Sequence, residues 1–151
     1  MTLERAVFFR RLLSVGQTDT YVKSIEQALE QEESLSDLLL ELAFCLSDID
    51  KTISLLDHYI SEREADEFVL YKMLLSEFRL LYSSGVLSLQ KTAESLLYIH
   101  ESNYLHCSKA WRDITHLSYV YDEVKDGYWD EKWFWDMFLE VLFPEKKAEV
   151  V

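Results

Sequence analysis

The stretch that most constrains this chain is Glu67 to Tyr82, EFVLYKMLLSEFRLLY, in which eleven of sixteen residues are apolar. They are distributed around the helical circumference, and Leu, Met, Glu, Lys and Arg favour a helix with no breaker inside the run. A helix that is apolar nearly all round is normally surrounded by other helices. The run is too charged, and too short against the roughly 20 apolar residues needed, to span a membrane. It therefore predicts the central helix of an all-α domain.

The rest of the chain agrees with that reading. Three glycines and one proline in 151 residues leave little room for hairpin turns. The length fits a single domain, and the surface scaling law has folding bury about 69% of the unfolded surface. With 49% hydrophobic residues, that is enough for a core without metal or disulfide support. Thr2 is a plausible N-cap for a helix to Ser14, closed by Gly16 in a left-handed conformation. Asp19 is placed to cap Thr20 to Gln31. Ser34 with Asp37 resembles a weak capping box before Leu35 to Leu46. Ser47-Asp48 marks a break before Ile49 to Ser61. The central helix follows from about Ala65 to Ser83, and Ser88 caps Leu89 to Ser102. Cys107 to Lys125 reads as one helix, and Asp130 caps Glu131 to Phe143, which Pro144 stops. The tail from about Pro144 reads as frayed. These are about eight helices in four antiparallel hairpins, forming an irregular bundle or a short helical-repeat-like array. A hint of repetition accompanies them. FRRLLSVG at Phe9 echoes FRLLYSSG at Phe78, and KSIEQAL at Lys23 echoes KTAESLL at Lys91, with KTISLL at Lys51 a third echo.

Charge is unevenly placed. From Glu26 to Glu67 there are thirteen acids against Lys51 and Arg63, a net −11, and from Tyr121 to Glu140 seven acids against Lys125 and Lys132, a net −5. With −13 overall, the remaining residues carry +3. Such concentration disfavours nucleic acid and anionic membranes, because phosphate contacts need Lys and Arg. It suits a basic protein partner, whose approach it would accelerate. Tyr128 to Trp135, YWDEKWFW, holds three of the four tryptophans among acids. Neighbours on a helix are about 100° apart, so Trp129, Trp133 and Trp135 do not all face the core. Exposed Trp and Tyr are what interaction hot spots favour.

Chemistry of other kinds finds little support. His100, His106, Cys107 and His116 lack the i, i+3 or i, i+4 ligand pairs of helical metal sites. There is no Gly-rich phosphate loop and no nucleophile elbow. Cys107 and His116 are nine residues apart, too far along one straight helix to hydrogen-bond. No cofactor and no catalytic residue is assigned. The two cysteines, Cys45 and Cys107, read as buried free thiols in a reducing compartment. MTLERAVFFRRLL has no long apolar core and no cleavage signal, which points to the cytoplasm.

In general character the chain resembles the small acidic immunity proteins with which bacteria neutralise their own toxins, a likeness of composition. It implies a non-enzymatic inhibitor that occludes a basic partner such as a bacterial toxin, with carboxylates standing where substrate phosphates would sit. Glu30, Glu32, Glu33, Asp37 and Glu41 are the steering candidates, and Trp129, Trp133 and Trp135 the anchors. Two other readings remain open: a helical-repeat adaptor or secretion-type chaperone holding an extended peptide, and a ligand-binding or catalytic bundle with a polar pocket around His100, His106 and His116.

Overall fold

The computed structural model describes residues 1–31 and 34–144, so Glu32, Glu33 and the tail expected to fray after Pro144 lie outside the described residues. Among the described residues the regular structure is eight α-helices and two short 3₁₀ turns, an all-α fold without strands. The chain divides into two compact units, Met1–Leu70 and Tyr71–Val151.

The first unit contains α1 (Leu3–Ser14), α2 (Thr18–Gln31), α3 (Asp37–Phe44) and α4 (Ile49–Ile60). Helix α1 packs on α2 and α4, and α3 closes the group by packing on both of those. Ala6, Val7, Phe8, Phe9, Leu12 and Leu13 of α1 are all buried, so this helix is the one enclosed on most sides. Phe9 meets the Tyr21 ring edge-on at 5.4 Å. Burial, helped by Cys45, pushes the Tyr21 hydroxyl up to about 12. The buried Arg11 guanidinium donates to both Glu67 carboxylate oxygens at 3.0 and 2.6 Å. A buried cation stays in place only when paired in this way.

The central-helix expectation for Glu67 to Tyr82 needs correction. The run forms α5 (Glu67–Ser83), with Leu70, Leu74, Leu75, Phe78 and Leu81 buried, but Phe68, Val69 and Leu80 are 59%, 42% and 61% exposed. The buried set follows a three- and four-residue spacing, and the surplus apolar residues lie outside that stripe. Apolar content alone does not enclose a helix, because folded surfaces are themselves more than half apolar.

The second unit holds most of α5, then α6 (Leu89–Ser102), the 3₁₀ turns Leu105–Cys107 and Lys109–Trp111, α7 (Arg112–Lys125) and α8 (Glu131–Leu142). Helices α6 and α8 pack on α7. The core gathers Phe78, Leu96, Ile99, Ile114, Leu117, Phe134 and Phe138, with Trp111 fully buried and the Tyr71 ring against it at 5.0 Å. The single helix expected over Cys107 to Lys125 is broken. Tyr104 has φ 55 and Ser108 is extended, so the helical path is interrupted twice before Arg112. Cys107, expected to be buried, is exposed on the first 3₁₀ turn, whereas Cys45 is buried.

Helix ends account for several other boundaries. Helix α2 starts two residues before the expected Thr20, with Tyr21 N donating to Gln17 O at 3.2 Å. Asp19 therefore sits in the first turn, where it complements the helix dipole. Helix α3 is capped by Ser36, whose Oγ accepts from Leu39 N at 3.2 Å, in place of the expected Ser34. The three glycines, Gly16, Gly85 and Gly127, have φ 78, 81 and 82. In each case the next residue donates back across the glycine: Gln17 N to Leu12 O at 2.9 Å, Val86 N to Leu81 O at 3.0 Å, and Tyr128 N to Glu123 O at 2.9 Å. This is the Schellman ending, which needs a left-handed residue.

The sequence echoes map onto such ends. FRRLLSVG and FRLLYSSG are both helix termini with a Schellman glycine. KTISLL and KTAESLL are both helix beginnings. Asp48 Oδ1 accepts from Lys51 N and Ser88 Oγ accepts from Lys91 N, both at 3.1 Å. The following threonines, both fully buried, donate to the cap carbonyls: Thr52 to Asp48 O at 2.9 Å, Thr92 to Ser88 O at 2.8 Å. KSIEQAL differs, since Lys23 lies well inside α2.

Candidate functional site

Most of the described carboxylates of the acidic segment lie in solvent on the first unit. Glu26 and Glu30 on α2, Asp37 and Glu41 on α3, and Asp48 and Asp50 at the start of α4 are all exposed. None of these six forms an ion pair within the described residues. Two carboxylates of the segment are neutralised locally: Asp57 by Arg10 at 2.8 Å and Glu67 by Arg11. Of the two basic residues in the segment, Arg63 lies over the Tyr59 ring at 4.6 Å.

One residue here escaped the sequence reading. Phe44, the last residue of α3, is 90% exposed. Helix α3 buries Leu39 and Leu42, and a residue two positions beyond Leu42 is turned about 200° away from it. That spacing was readable, but the longer helix expected over Leu35 to Leu46 left no reason to single Phe44 out. The result is an isolated phenyl ring in the acidic stretch between Glu41 and Asp48.

The aromatic cluster belongs to the second unit. Phe134, Phe138 and Leu142 form the inward stripe of α8 at four-residue spacing. Trp133 therefore faces outward and stacks on Trp129, centroids 5.2 Å apart and rings 20° from parallel. Trp129 Nε1 donates to Glu123. The two rings are 47% and 39% exposed, and Tyr128 beside them 80%. Trp135 is half-buried, its ring edge-on to Phe134 at 5.0 Å and its Nε1 donating to Glu131 Oε1 at 3.4 Å. Trp129 and Trp133 thus share one patch, and Trp135 is mostly used in packing.

The histidines do not share a pocket. His100 and His106 line one cavity of about 350 Å³ with Glu101, Tyr119 and Asp122. His116 lines another of about 430 Å³ with Tyr71, Asp113 and Glu140. In that second cavity burial, then Asp113, holds the Tyr71 hydroxyl above the usual phenol range. In the first, His100 is 5% exposed, and its Nε2 lies 2.7 Å from Thr115 Oγ1. Thr115 donates its one proton to Trp111 O at 3.0 Å, which leaves its oxygen to accept from His100. The tautomer carrying the proton on Nε2 follows, with Nδ1 an acceptor. Burial, and next His106, lowers the His100 pKa, with Glu101 opposing. Among the described residues no three His, Cys, Asp or Glu side chains are gathered to hold a metal ion, and no helix is long and apolar enough to cross a membrane.

No protein-family model, curated protein or solved structure matches this chain.

Proposed function

We propose that this chain is a non-enzymatic, cytoplasmic binding protein that covers a basic protein partner, in the manner of an immunity-type inhibitor of a toxin. The observation that carries the reading is the exposed, unpaired state of Glu26, Glu30, Asp37, Glu41, Asp48 and Asp50 on one compact unit. A surface of one charge sign raises the encounter rate with an oppositely charged partner and rejects like-charged ones. Phe44, an exposed ring among those acids, supplies apolar area that solvated carboxylates cannot. The stacked Trp129–Trp133 pair offers a second aromatic patch beside Glu123, of the residue types that dominate interface energetics.

The test is kinetic. A partner captured from the source cell is purified, and its association and dissociation rates are measured at low and high salt. Replacing Glu30, Asp37 and Glu41 together by Gln, Asn and Gln slows association at low salt by about tenfold or more. Phe44→Ser leaves association nearly unchanged and speeds dissociation, because anchoring contacts act on the off-rate. A partner that associates equally fast with the neutral variant at low salt would show that the carboxylates serve solubility alone.

A further inference from the structure

His100 stands beside the most irregular stretch of the second unit. Helix α6 ends at Ser102, Tyr104 takes a left-handed φ of 55, and two 3₁₀ turns follow before α7 begins at Arg112. Leu105, Ala110 and Trp111 are the buried residues of these turns. Among the described residues no side chain caps the start of α7. What ties the stretch to α6 is a chain of two hydrogen bonds. His100 Nε2 donates to Thr115 Oγ1 at 2.7 Å, and that hydroxyl donates to Trp111 O at 3.0 Å. One imidazole on α6 thus holds the first turn of α7 and, through it, the residue that closes the second 3₁₀ turn. Short 3₁₀ turns have poorer hydrogen-bond geometry than an α-helix, and such elements open locally at less cost than the whole fold.

The tie depends on a group that acid can charge. The imidazole is 5% exposed. A buried neutral imidazole gains its second proton more readily once released to water, so acid favours the released form. The groups around it decide how strongly. Glu101 of α6, Tyr104, His106 of the first 3₁₀ turn, and Tyr119, Tyr121 and Asp122 of α7 line the same cavity as His100. Helix α5 brings Tyr71 against Trp111. Phenols are neutral below pH 8. Glu101 and Asp122 favour an imidazolium, but both are exposed and salt and water screen them. Burial, and next the charge that His106 can carry, outweigh Glu101 and hold the His100 pKa below the ordinary imidazole value.

We propose that His100 is an acid-sensitive latch on residues 105–115. Its protonation breaks the tie to Thr115, frees the two 3₁₀ turns and the first turn of α7, and exposes the Trp111 side chain. The rest of the second unit stays folded. The latch does not depend on the acidic surface of the first unit, so either reading can fail alone.

Amide hydrogen exchange of the full chain, read by mass spectrometry at pH 7.5 and 5.0 and corrected for the intrinsic rate, tests this. Protection of residues 105–115 falls at pH 5.0 by up to about thirtyfold, the ceiling set by an unfolded imidazole pKa of about 6.5. Helix α8, in the same unit, loses less and serves as the reference. His100→Gln keeps an N–H donor for Thr115 but has no proton to gain, so residues 105–115 then follow α8 at both pH values. His106→Gln, at an exposed position, removes the like charge and makes the acid loss smaller than in wild type. A wild-type loss no larger than that of α8, or an equal loss in His100→Gln, would overturn the latch. If His100→Gln does not fold, an undiminished loss in His106→Gln overturns it instead.

Discussion

Among single residues, the largest structural effects belong to fully buried positions. Leu74 is fully buried on the inward stripe of α5, and Leu74→Ala leaves a cavity that rigid neighbours do not fill. The expected loss is about 2–5 kcal/mol in denaturant melts, and a loss below about 1 kcal/mol would place α5 outside the core. His100 makes a different, pH-dependent contribution. Burial lowers its folded pKa, so the unfolded chain binds the proton more readily and stability rises with pH across the transition. The His100 contribution is complete above the unfolded value of about 6.5 and is lost as pH falls from there towards the folded pKa. The stability difference between wild type and His100→Gln, followed by thermal melts from pH 8 to 5, therefore moves against the wild type as pH falls. A difference independent of pH would mean that His100 titrates alike in both states.

Among elements, the helix ends carry most of the information that the sequence held locally. Gly85 at φ 81 has nothing within 4 Å of where a Cβ would stand, so Gly85→Ala pays only the left-handed backbone penalty of about 1–2 kcal/mol. Thermal melts check this, and an unchanged midpoint would mean that the turn re-forms without the left-handed residue. Gly16, Ser88, Asp48 and Asp130 were legible for the same reason: cap chemistry depends on a few adjacent residues. Ser34, Asp19 and the helix over Cys107 to Lys125 were misread where tertiary packing decides. Burying Trp111 against Tyr71 competes with continuous helix through Ser108, and no local propensity expresses that. The enclosure of α5 failed for a related reason, because period and composition identify an apolar helix but not how many neighbours it has. At the candidate site, the exposed acids followed from charge alone. Phe44 depended on a helix end, and the setting of His100 depended on a hydrogen bond with Thr115, fifteen residues away.

At the scale of the whole molecule the dominant quantity is charge. A net −13 with most carboxylates in solvent makes the compact state repel itself, and such self-repulsion lowers stability. Added salt shortens the screening length from about 10 Å at 0.1 M to about 3 Å at 1 M. The melting temperature therefore rises as sodium chloride increases from 0.05 to 0.5 M. Sulfate, which also strengthens apolar burial, raises it further at equal ionic strength. The chloride response isolates the electrostatic part, and it is smaller in a variant with Glu30, Asp37 and Glu41 replaced by Gln, Asn and Gln. That variant also melts at or above the wild-type temperature in low salt, because none of the three carboxylates has an ion-pair partner within the described residues to lose. If neutralisation lowers the melting temperature instead, the three carboxylates take part in the fold and are not free to act on a partner. If it raises the melting temperature and slows association, the same charges oppose folding and favour binding.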